Sequence, residues 1–215
     1  MRPLLALAAL ALAQQARAAD DVPLFDGKTL DGWTFIVKPD KDGKTADPKT
    51  TWSAKDGVIV CTGKPNGCMV TAKEYGDYTL RLKWRFPAGG GGNTGVLLHV
   101  RDEKYWPTSV EAQLLTGRAG DILLTNPPGA KLDVEKARQD PKLERRFFRI
   151  DTKKPVERKL GEWNDLEVTC KGGDIVLAVN GVKVNEGKNG NLTKGRIALQ
   201  SEGAEVHFKD VVLRK

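Results

Sequence analysis

The chain has 215 residues, a length that suits one domain of ordinary size with a core large enough to be stable without several disulfides. Its 35 Lys and Arg residues outnumber its 28 Asp and Glu residues, which gives a formal net charge of +7. Because the basic residues are dispersed between acidic ones instead of clustered, the composition argues against a nucleic-acid-binding protein.

The first residues have the pattern of a secretory signal peptide. Arg2 provides a basic start, residues 4–13 form an apolar run, and Ala16-Arg17-Ala18 is a small-x-small cleavage signal. The apolar run is too short to span a bilayer, so we expect residues 1–18 to be removed, with cleavage near Ala18 or Ala19. The sequence therefore predicts a periplasmic or secreted protein without stable membrane insertion.

The remaining chain, residues 22–215, predicts a single all-β domain. Short apolar or alternating runs recur between turn signals, first over residues 52–115 and again over residues 165–214. Such spacing is typical of a β-sandwich or barrel, and the chain has no amphipathic helix of normal length. Residues 118–159 are less regular, and we expect a long excursion over one end of the sheet, where binding loops are common.

Three cysteines remain in a chain that we expect to be exported. Cys61 and Cys68 flank a turn-rich segment between two β-like runs, so they could face each other across a hairpin and form a disulfide. Cys170 lies in an apolar run and is expected to be a buried free thiol. The sequence shows no Cys and His spacing that is typical of a zinc site.

Two predicted strands, residues 95–101 and 110–115, carry polar side chains within apolar alternation. Successive strand side chains point to opposite faces, so Val96, Leu98 and Val100 would pack into a core together. The side chains predicted to share the opposite, open face are His99, Arg101, Glu111 and Gln113. A lone strand histidine is more often packing or surface than catalysis, but the neighbouring charged groups make a functional role for His99 about as well supported as a structural one.

Glu111 and Glu202 lie inside otherwise apolar strands, where an unpaired charge would be costly. Each is either a catalytic group or a structural tether to an arginine, for instance Arg85 or Arg101. Gln200 shares the polar face of its strand with Glu202. Their pattern therefore suggests a second polar strand face.

Trp106 lies in a predicted loop beside polar residues. An aromatic ring in such a place suits stacking on the apolar face of a sugar, although it is equally able to cap the core.

Eight motifs occur in the order seen in one known family. They are Leu24-Phe25-Asp26-Gly27-Lys28-Thr29-Leu30-Asp31-Gly32-Trp33, Asp56-Gly57-Val58-Ile59, Tyr75-Gly76-Asp77-Tyr78-Thr79-Leu80 with Trp84-Arg85, Asn93-Thr94-Gly95-Val96, Glu111-Ala112-Gln113, Gly161-Glu162-Trp163-Asn164, Val179-Asn180-Gly181 and Ile197-Ala198-Leu199-Gln200. Through these motifs the chain resembles the 3-keto-disaccharide hydrolase family over nearly its whole mature length. Many relatives have an arginine at the position of His99, and Asp-His-Gly where this chain has Ser201-Glu202-Gly203.

The resemblance implies a concanavalin A-like jelly-roll sandwich, export, and action on glycosides that are already oxidised to a ketone at carbon 3. Such a ketone acidifies the hydrogen on carbon 2, so a base can form an enolate and the oxygen on carbon 1 can leave. This elimination, followed by addition of water, needs a base, a group that stabilises the enolate oxygen, and an acid. Direct hydrolysis by Glu111 and Glu202 is the competing mechanism.

For the elimination route we expect Glu111 or His99 to be the base, and Glu202 to be the acid or a substrate anchor. Arg101, or a bound divalent cation, would stabilise the enolate oxygen together with Gln113. The further substrate-binding candidates are Asn93, Arg85, Trp106 and Gln200. The expected partner is an oxidised sugar, and the sequence predicts no oligomeric state. The alternative function is a lectin-like carbohydrate-binding module without chemistry, because jelly rolls host both.

Overall fold

The computed structural model describes residues 21–215, so the predicted signal peptide, residues 1–18, lies outside the described residues. The strands of this part are, in chain order, β1 (Asp21–Pro23), β2 (Trp33–Val37), β3 (Trp52–Lys55), β4 (Val58–Cys61), β5 (Gly67–Thr71), β6 (Tyr78–Arg85), β7 (Gly95–Val100), β8 (Val110–Gln113), β9 (Ile122–Leu124), β10 (Gln139–Asp140), β11 (Leu143–Phe147), β12 (Asn164–Lys171), β13 (Asp174–Val179), β14 (Val182–Gly187), β15 (Arg196–Ser201) and β16 (Val206–Arg214). Two short 3-10 helices, Pro48–Thr50 and Lys136–Arg138, lie between them.

The strands form two antiparallel sheets of eight strands each. The first sheet has the order β14-β13-β12-β6-β16-β4-β3, with β1 also paired to β16. The second sheet has the order β10-β11-β9-β8-β7-β15-β5-β2. This arrangement confirms the predicted all-β jelly-roll sandwich. No helix within residues 21–215 combines the length and the apolar character that crossing a membrane requires.

Alternation along the strands builds the core between the sheets. In β6, Leu80, Leu82 and Trp84 are buried in this core, whereas Arg81 projects outward and pairs with the exposed Glu167 of β12. Burying large apolar side chains on one strand face is the main favourable term in such a sandwich. The same alternation leaves a second face on each sheet that is available for function.

Strand β7 carries a bulge that changes the predicted alternation. Val96 and Leu98 lie in the core as expected, but Val100 joins Leu97 in a small apolar cluster on the outer face of the second sheet. His99 has a φ of 54°, and the pairing of β7 with β15 shifts register at this point. A residue in the left-handed region inside a strand reverses the faces that follow it. The prediction that Val100 shares a face with Val96 is therefore wrong.

The segment 118–159, predicted as an irregular excursion, contains β9, β10 and β11. These strands extend the second sheet beyond β8, and the pairing of β10 with β11 is irregular between Gln139 and Asp140. With lengths of three, two and five residues, the strands are too short to show a clear alternation in the sequence.

The predicted disulfide between Cys61 and Cys68 is wrong, because both are buried free thiols. Cys61 lies on β4 of the first sheet and points into the core, whereas Cys68 lies on β5 of the second sheet and belongs to the outer-face cluster. The turn between them crosses from one sheet to the other and does not close a hairpin. Cys170 is a buried free thiol, as predicted.

Candidate functional site

Three buried polar side chains form the floor of the candidate site on the outer face of the second sheet. Glu111 and Gln113 come from β8 and Gln200 from β15, with exposed fractions of 3%, 4% and 1%. The Oε1 atom of each has no hydrogen-bond partner within the described residues. Leaving a buried acceptor unpaired costs about 1–3 kcal/mol, so three such atoms together indicate a place prepared for a ligand that donates hydrogen bonds.

Gly95 of β7 provides the space in which Glu111 lies. A Cβ atom at position 95 would come within 2.4 Å of Glu111 Oε1, which is closer than a real side chain can approach. Gly95 pairs directly with Gln113 and lies diagonally across from Glu111, which pairs with Leu97. The glycine of the Asn93-Thr94-Gly95 motif is therefore required by the close approach of a carboxyl group.

Asn93 and Glu202 are half-exposed and form the rim beside this floor. Asn93 Nδ2 donates to Glu202 Oε2 at 2.5 Å, and Gln113 Nε2 donates to Asn93 Oδ1 at 2.7 Å. The backbone of Asn93 also forms isolated bridges with Glu202 and Gly203. The rim and the floor are thus joined by one chain of hydrogen bonds.

The two carboxyl groups of the site have perturbed acidities. Burial, with the nearby charge of Glu202 as a second cause, raises the pKa of Glu111 from 4.5 to about 8, although Arg145 and Gln200 act in the opposite direction. Burial also raises the pKa of Glu202, and Asn93 and Arg145 oppose that rise. Carboxyl groups whose environments differ in this way are typical of acid–base sites.

Arg145 is a further charged residue near the site that was not among the residues predicted from the sequence. Arg145 lies on β11 and is half-buried, and its guanidinium forms neither a hydrogen bond nor an ion pair within the described part of the chain. Its neighbour Arg146 is instead held by Asp140. The charge of Arg145 lowers the pKa of both Glu111 and Glu202, against the larger effect of burial.

The strand register places β11 two strands away from β8 in the second sheet. Glu111 pairs with Leu123 of β9, and Leu123 pairs with Arg146 of β11, so these three residues form one row across the sheet. Two strand spacings, about 10 Å, separate β8 from β11, and the residue of β11 in this row is Arg146, the neighbour of Arg145. In the sequence, the only available signal was a pair of arginines between Leu143 and Phe147 in a strand-like run.

The structure does not bring His99 to the floor. The bulge turns its ring toward Tyr78, with ring centroids 5.4 Å apart, and its Nδ1 and Nε2 atoms lie 2.7 and 3.1 Å from the carbonyl oxygens of Leu192 and Gly76. Arg101 follows the bulge, is exposed, and donates to the Lys194 carbonyl oxygen. The predicted common face of these two residues with Glu111 and Gln113 is therefore wrong.

Two other candidates also lie elsewhere. Arg85 is on β6 of the first sheet, where its guanidinium stacks on Trp163 at 4.5 Å and donates to His207. The ring of Trp106 packs against Tyr105 in the loop between β7 and β8. Of the predicted site residues, the structure brings together Asn93, Glu111, Gln113, Gln200 and Glu202.

Within residues 21–215, no group of three or more His, Cys, Asp or Glu side chains comes together in the manner of a metal site. The oxygen atoms of Glu111, Gln113, Gln200 and Glu202 are the donors that the site offers to a hard divalent cation.

A concavity of about 480 Å³ lies apart from this floor, and its lining includes Trp84, Phe86, Arg149, Glu157 and Asn164. Its buried polar groups are already paired, because Arg149 donates to backbone carbonyl oxygens and Glu157 accepts from backbone amides. The concavity therefore lacks the unpaired acceptors that distinguish the site around Glu111.

The two-sheet sandwich defines a jelly-roll protein, a class whose solved members include glycosyl hydrolases and carbohydrate-binding modules. Within this class, the chain belongs to the family of the 3-keto-alpha-glucoside-1,2-lyase-like domain, whose model matches residues 20–214. The family resemblance inferred from the sequence motifs is thus confirmed.

Individual relatives are distant. The chain is 25% identical over 178 residues to the 3-keto-disaccharide hydrolase of Bacteroides thetaiotaomicron, an alignment that covers 77% of this chain and 57% of the relative. A candidate glycosyl hydrolase from Parabacteroides distasonis ATCC 8503 has a TM-score of 0.63 at 23% identity, over 91% of this chain and 93% of that one. The carbohydrate binding module CBM66 from Bacillus subtilis has a TM-score of 0.59 at 11% identity, over 86% and 96%. The solved structures support the fold, and the chain spans little more than half of the curated relative.

Proposed function

We propose that the protein is an exported carbohydrate-active enzyme that cleaves 3-keto-glycosides, including 3-keto-disaccharides, at the site formed by Glu111, Gln113, Gln200 and Glu202. The observation that carries this proposal is the presence of two carboxyl groups of unequal burial, Glu111 and Glu202, beside the unpaired buried oxygens of Gln113 and Gln200. Family membership supports the substrate class, and the pattern of residues 1–18 supports export.

The different burial of the two carboxyl groups assigns their roles. Glu111, with a pKa of about 8, holds its proton at neutral pH and is the acid. Glu202 is half-exposed, and Asn93 and Arg145 favour its ionised form, so it is the base. This assignment reverses the one that the sequence favoured, where Glu111 was a candidate base and Glu202 a candidate acid.

In the reaction, Glu202 removes the proton from carbon 2, and the electron pair of that bond moves toward the oxygen on carbon 3. The resulting enolate expels the glycosidic oxygen from carbon 1, and that oxygen takes the proton of Glu111. Water then adds to carbon 1 and gives its proton to the ionised Glu111, while Glu202, after its proton has exchanged with solvent, returns a proton to carbon 2, so the net result is hydrolysis. The guanidinium of Arg145 stabilises the negative charge that develops between the two carboxyl groups.

The donors and acceptors of the floor also match the hydrogen-bonding groups of a keto sugar. Gln113 and Gln200 present acceptor oxygens to sugar hydroxyl groups, which donate. Protonated Glu111 is itself a donor, and a ketone oxygen or a glycosidic oxygen is an acceptor.

A carbohydrate-binding module without chemistry is the second candidate function, because unpaired acceptor oxygens also suit simple sugar binding and the CBM66 module has the same fold. The two functions are separated by incubating the mature protein with 3-keto-trehalose and with trehalose, followed by chromatography of the released sugars. Cleavage of the keto sugar alone supports the enzyme, and loss of that cleavage with a chelator adds a divalent cation to the site. Saturable binding without product contradicts the enzyme and favours the module.

A further inference from the structure

The hydrogen bonds at the rim of the site run in one direction. An ionised carboxylate can only accept, so Glu202 requires Asn93 to turn its Nδ2 atom toward it. Asn93 Oδ1 then faces Gln113 and requires that side chain to turn its own Nε2 atom inward. The orientation of both amides is thus determined by the network.

The last group in this series of hydrogen bonds is Gln113, whose Oε1 atom is an acceptor that faces the floor of the site. With Nε2 directed to Asn93, Gln113 can only present Oε1 on its other side, and this atom is buried without a partner. Both ends of the Asn93 amide are occupied by protein groups, so Asn93 is not placed as a substrate contact in the way that the sequence analysis expected.

We propose that Asn93 is a positioning residue. Its amide links the ionised Glu202 to the Gln113 amide through two hydrogen bonds and thereby keeps Gln113 Oε1 oriented as an acceptor for a substrate hydroxyl. The identity of that hydroxyl as part of a sugar rests on the proposed function, whereas the coupling between the three side chains does not.

The coupling makes the orientation of Gln113 depend on the protonation of Glu202. A protonated Glu202 can donate to Asn93 Oδ1, which allows both amides to reverse and presents the Gln113 Nε2 donor to the floor. The charged groups that face Glu202 are Glu111 from β8 and Arg145 from β11. Substrate binding should therefore weaken as Glu202 takes up its proton.

The first test needs no substrate. In protein labelled with ¹³C and ¹⁵N, the carboxyl carbon of Glu202 and the side-chain amide signals of Asn93 and Gln113 are followed by NMR from pH 4 to pH 9. We expect all three to share the midpoint of Glu202, and we expect that shared transition to disappear in Glu202→Gln, where only the change near pH 8 that accompanies ionisation of Glu111 remains. Amide signals that keep constant positions while Glu202 titrates would overturn the proposal.

The second test is kinetic. Asn93→Ala releases the Gln113 amide, and we expect KM for 3-keto-trehalose to rise about tenfold at the pH optimum of each protein, with a smaller change in kcat. Asn191→Ala is the matched control, because Asn191 also has both ends of its amide bound, by Lys131 N and Gly129 O, but lies outside the site. A wild-type KM in Asn93→Ala would contradict the positioning role.

Asn93→Asp distinguishes the hydrogen bond between Asn93 and Gln113 from the one between Asn93 and Glu202. It keeps an acceptor for Gln113 but places a carboxylate against Glu202, so the acidic limb of the pH profile should move to higher pH, and an unmoved limb would count against the coupling. If wild-type protein does not cleave 3-keto-trehalose at all, the proposed function fails. The NMR titration still tests whether Glu202, Asn93 and Gln113 are coupled.

Discussion

The replacement Glu111→Gln is expected to remove activity and at the same time to stabilise the folded protein at alkaline pH. Glutamine has the shape of protonated glutamate, so it fills the space over Gly95 without a charge. It cannot supply the proton that the leaving oxygen needs. Gains in stability at the expense of activity are characteristic of residues that are strained for function.

The magnitude follows from the acidity of Glu111. Its pKa is 4.5 when unperturbed and about 8 in the folded protein, so between these values the unfolded chain releases a proton that the folded protein keeps. Wild-type stability is therefore complete below pH 4.5, decreases as pH rises toward 8, and is constant above. At about 1.4 kcal/mol per pH unit over this interval, ionisation of Glu111 costs at most about 5 kcal/mol, which Glu111→Gln avoids.

The assay is urea unfolding of both proteins at pH 5 and at pH 9. The difference in free energy of unfolding should favour Glu111→Gln at pH 9 and should be much smaller at pH 5. Glu167→Gln, which removes an exposed carboxylate from the surface pair with Arg81, serves as the control and should change stability by less than about 1 kcal/mol at either pH. Equal differences at pH 5 and pH 9 for Glu111→Gln would refute the reasoning that burial keeps this carboxyl protonated.

Three further predictions follow from the site and the core. Arg145→Gln should reduce kcat about 10–100-fold while the protein stays folded, because the negative charge that develops in the reaction loses a stabilising cation. The control Arg81→Gln, on the opposite sheet, should retain wild-type kcat. Similar kcat values for the two variants would show that Arg145 does not belong to the site. Gly95→Ala should destabilise the protein by about 1–3 kcal/mol and lower turnover, since a Cβ would come within 2.4 Å of the Glu111 carboxyl group. An unchanged free energy of urea unfolding would contradict this packing. The three cysteines are buried, and burial raises the pKa of their thiols to about 11, 12 and 12, so a thiol reagent at pH 8 should label the native protein slowly and the urea-unfolded protein at three sites. Rapid labelling of the native protein would show that the cysteine thiols are accessible to solvent and not buried.

Regular alternation allowed much of the site to be predicted from the sequence. Strand β8 has no bulge, so Glu111 and Gln113 lie together on the face opposite Ala112, as the pattern indicated. The same holds for Gln200 on β15, whose neighbour Leu199 points into the core. Where side chains alternate and one face is apolar, burial of that face determines the direction of the other.

The errors arose where the chain departs from alternation or crosses between sheets. Nothing in the sequence around His99 indicates a residue with a φ of 54°, so its direction could not be derived from spacing. The turn between Cys61 and Cys68 resembles a hairpin turn but joins two different sheets. Arg145 lies in a short strand after an irregular pairing, where no period is visible. Each of these features depends on tertiary packing that a local pattern does not contain.

The most direct test of the central claim is the fate of the hydrogen on carbon 2. Wild-type protein and Glu202→Gln are incubated with 3-keto-trehalose in D₂O, and the keto sugar released early in the reaction is analysed by mass spectrometry and NMR, with free keto sugar as the control for spontaneous exchange. We predict one deuterium at carbon 2 of the product from the wild-type protein, and neither cleavage nor exchange with Glu202→Gln. Cleavage by the wild-type protein without deuterium at carbon 2 would contradict the elimination route, and undiminished cleavage by Glu202→Gln would contradict the assignment of Glu202 as the base.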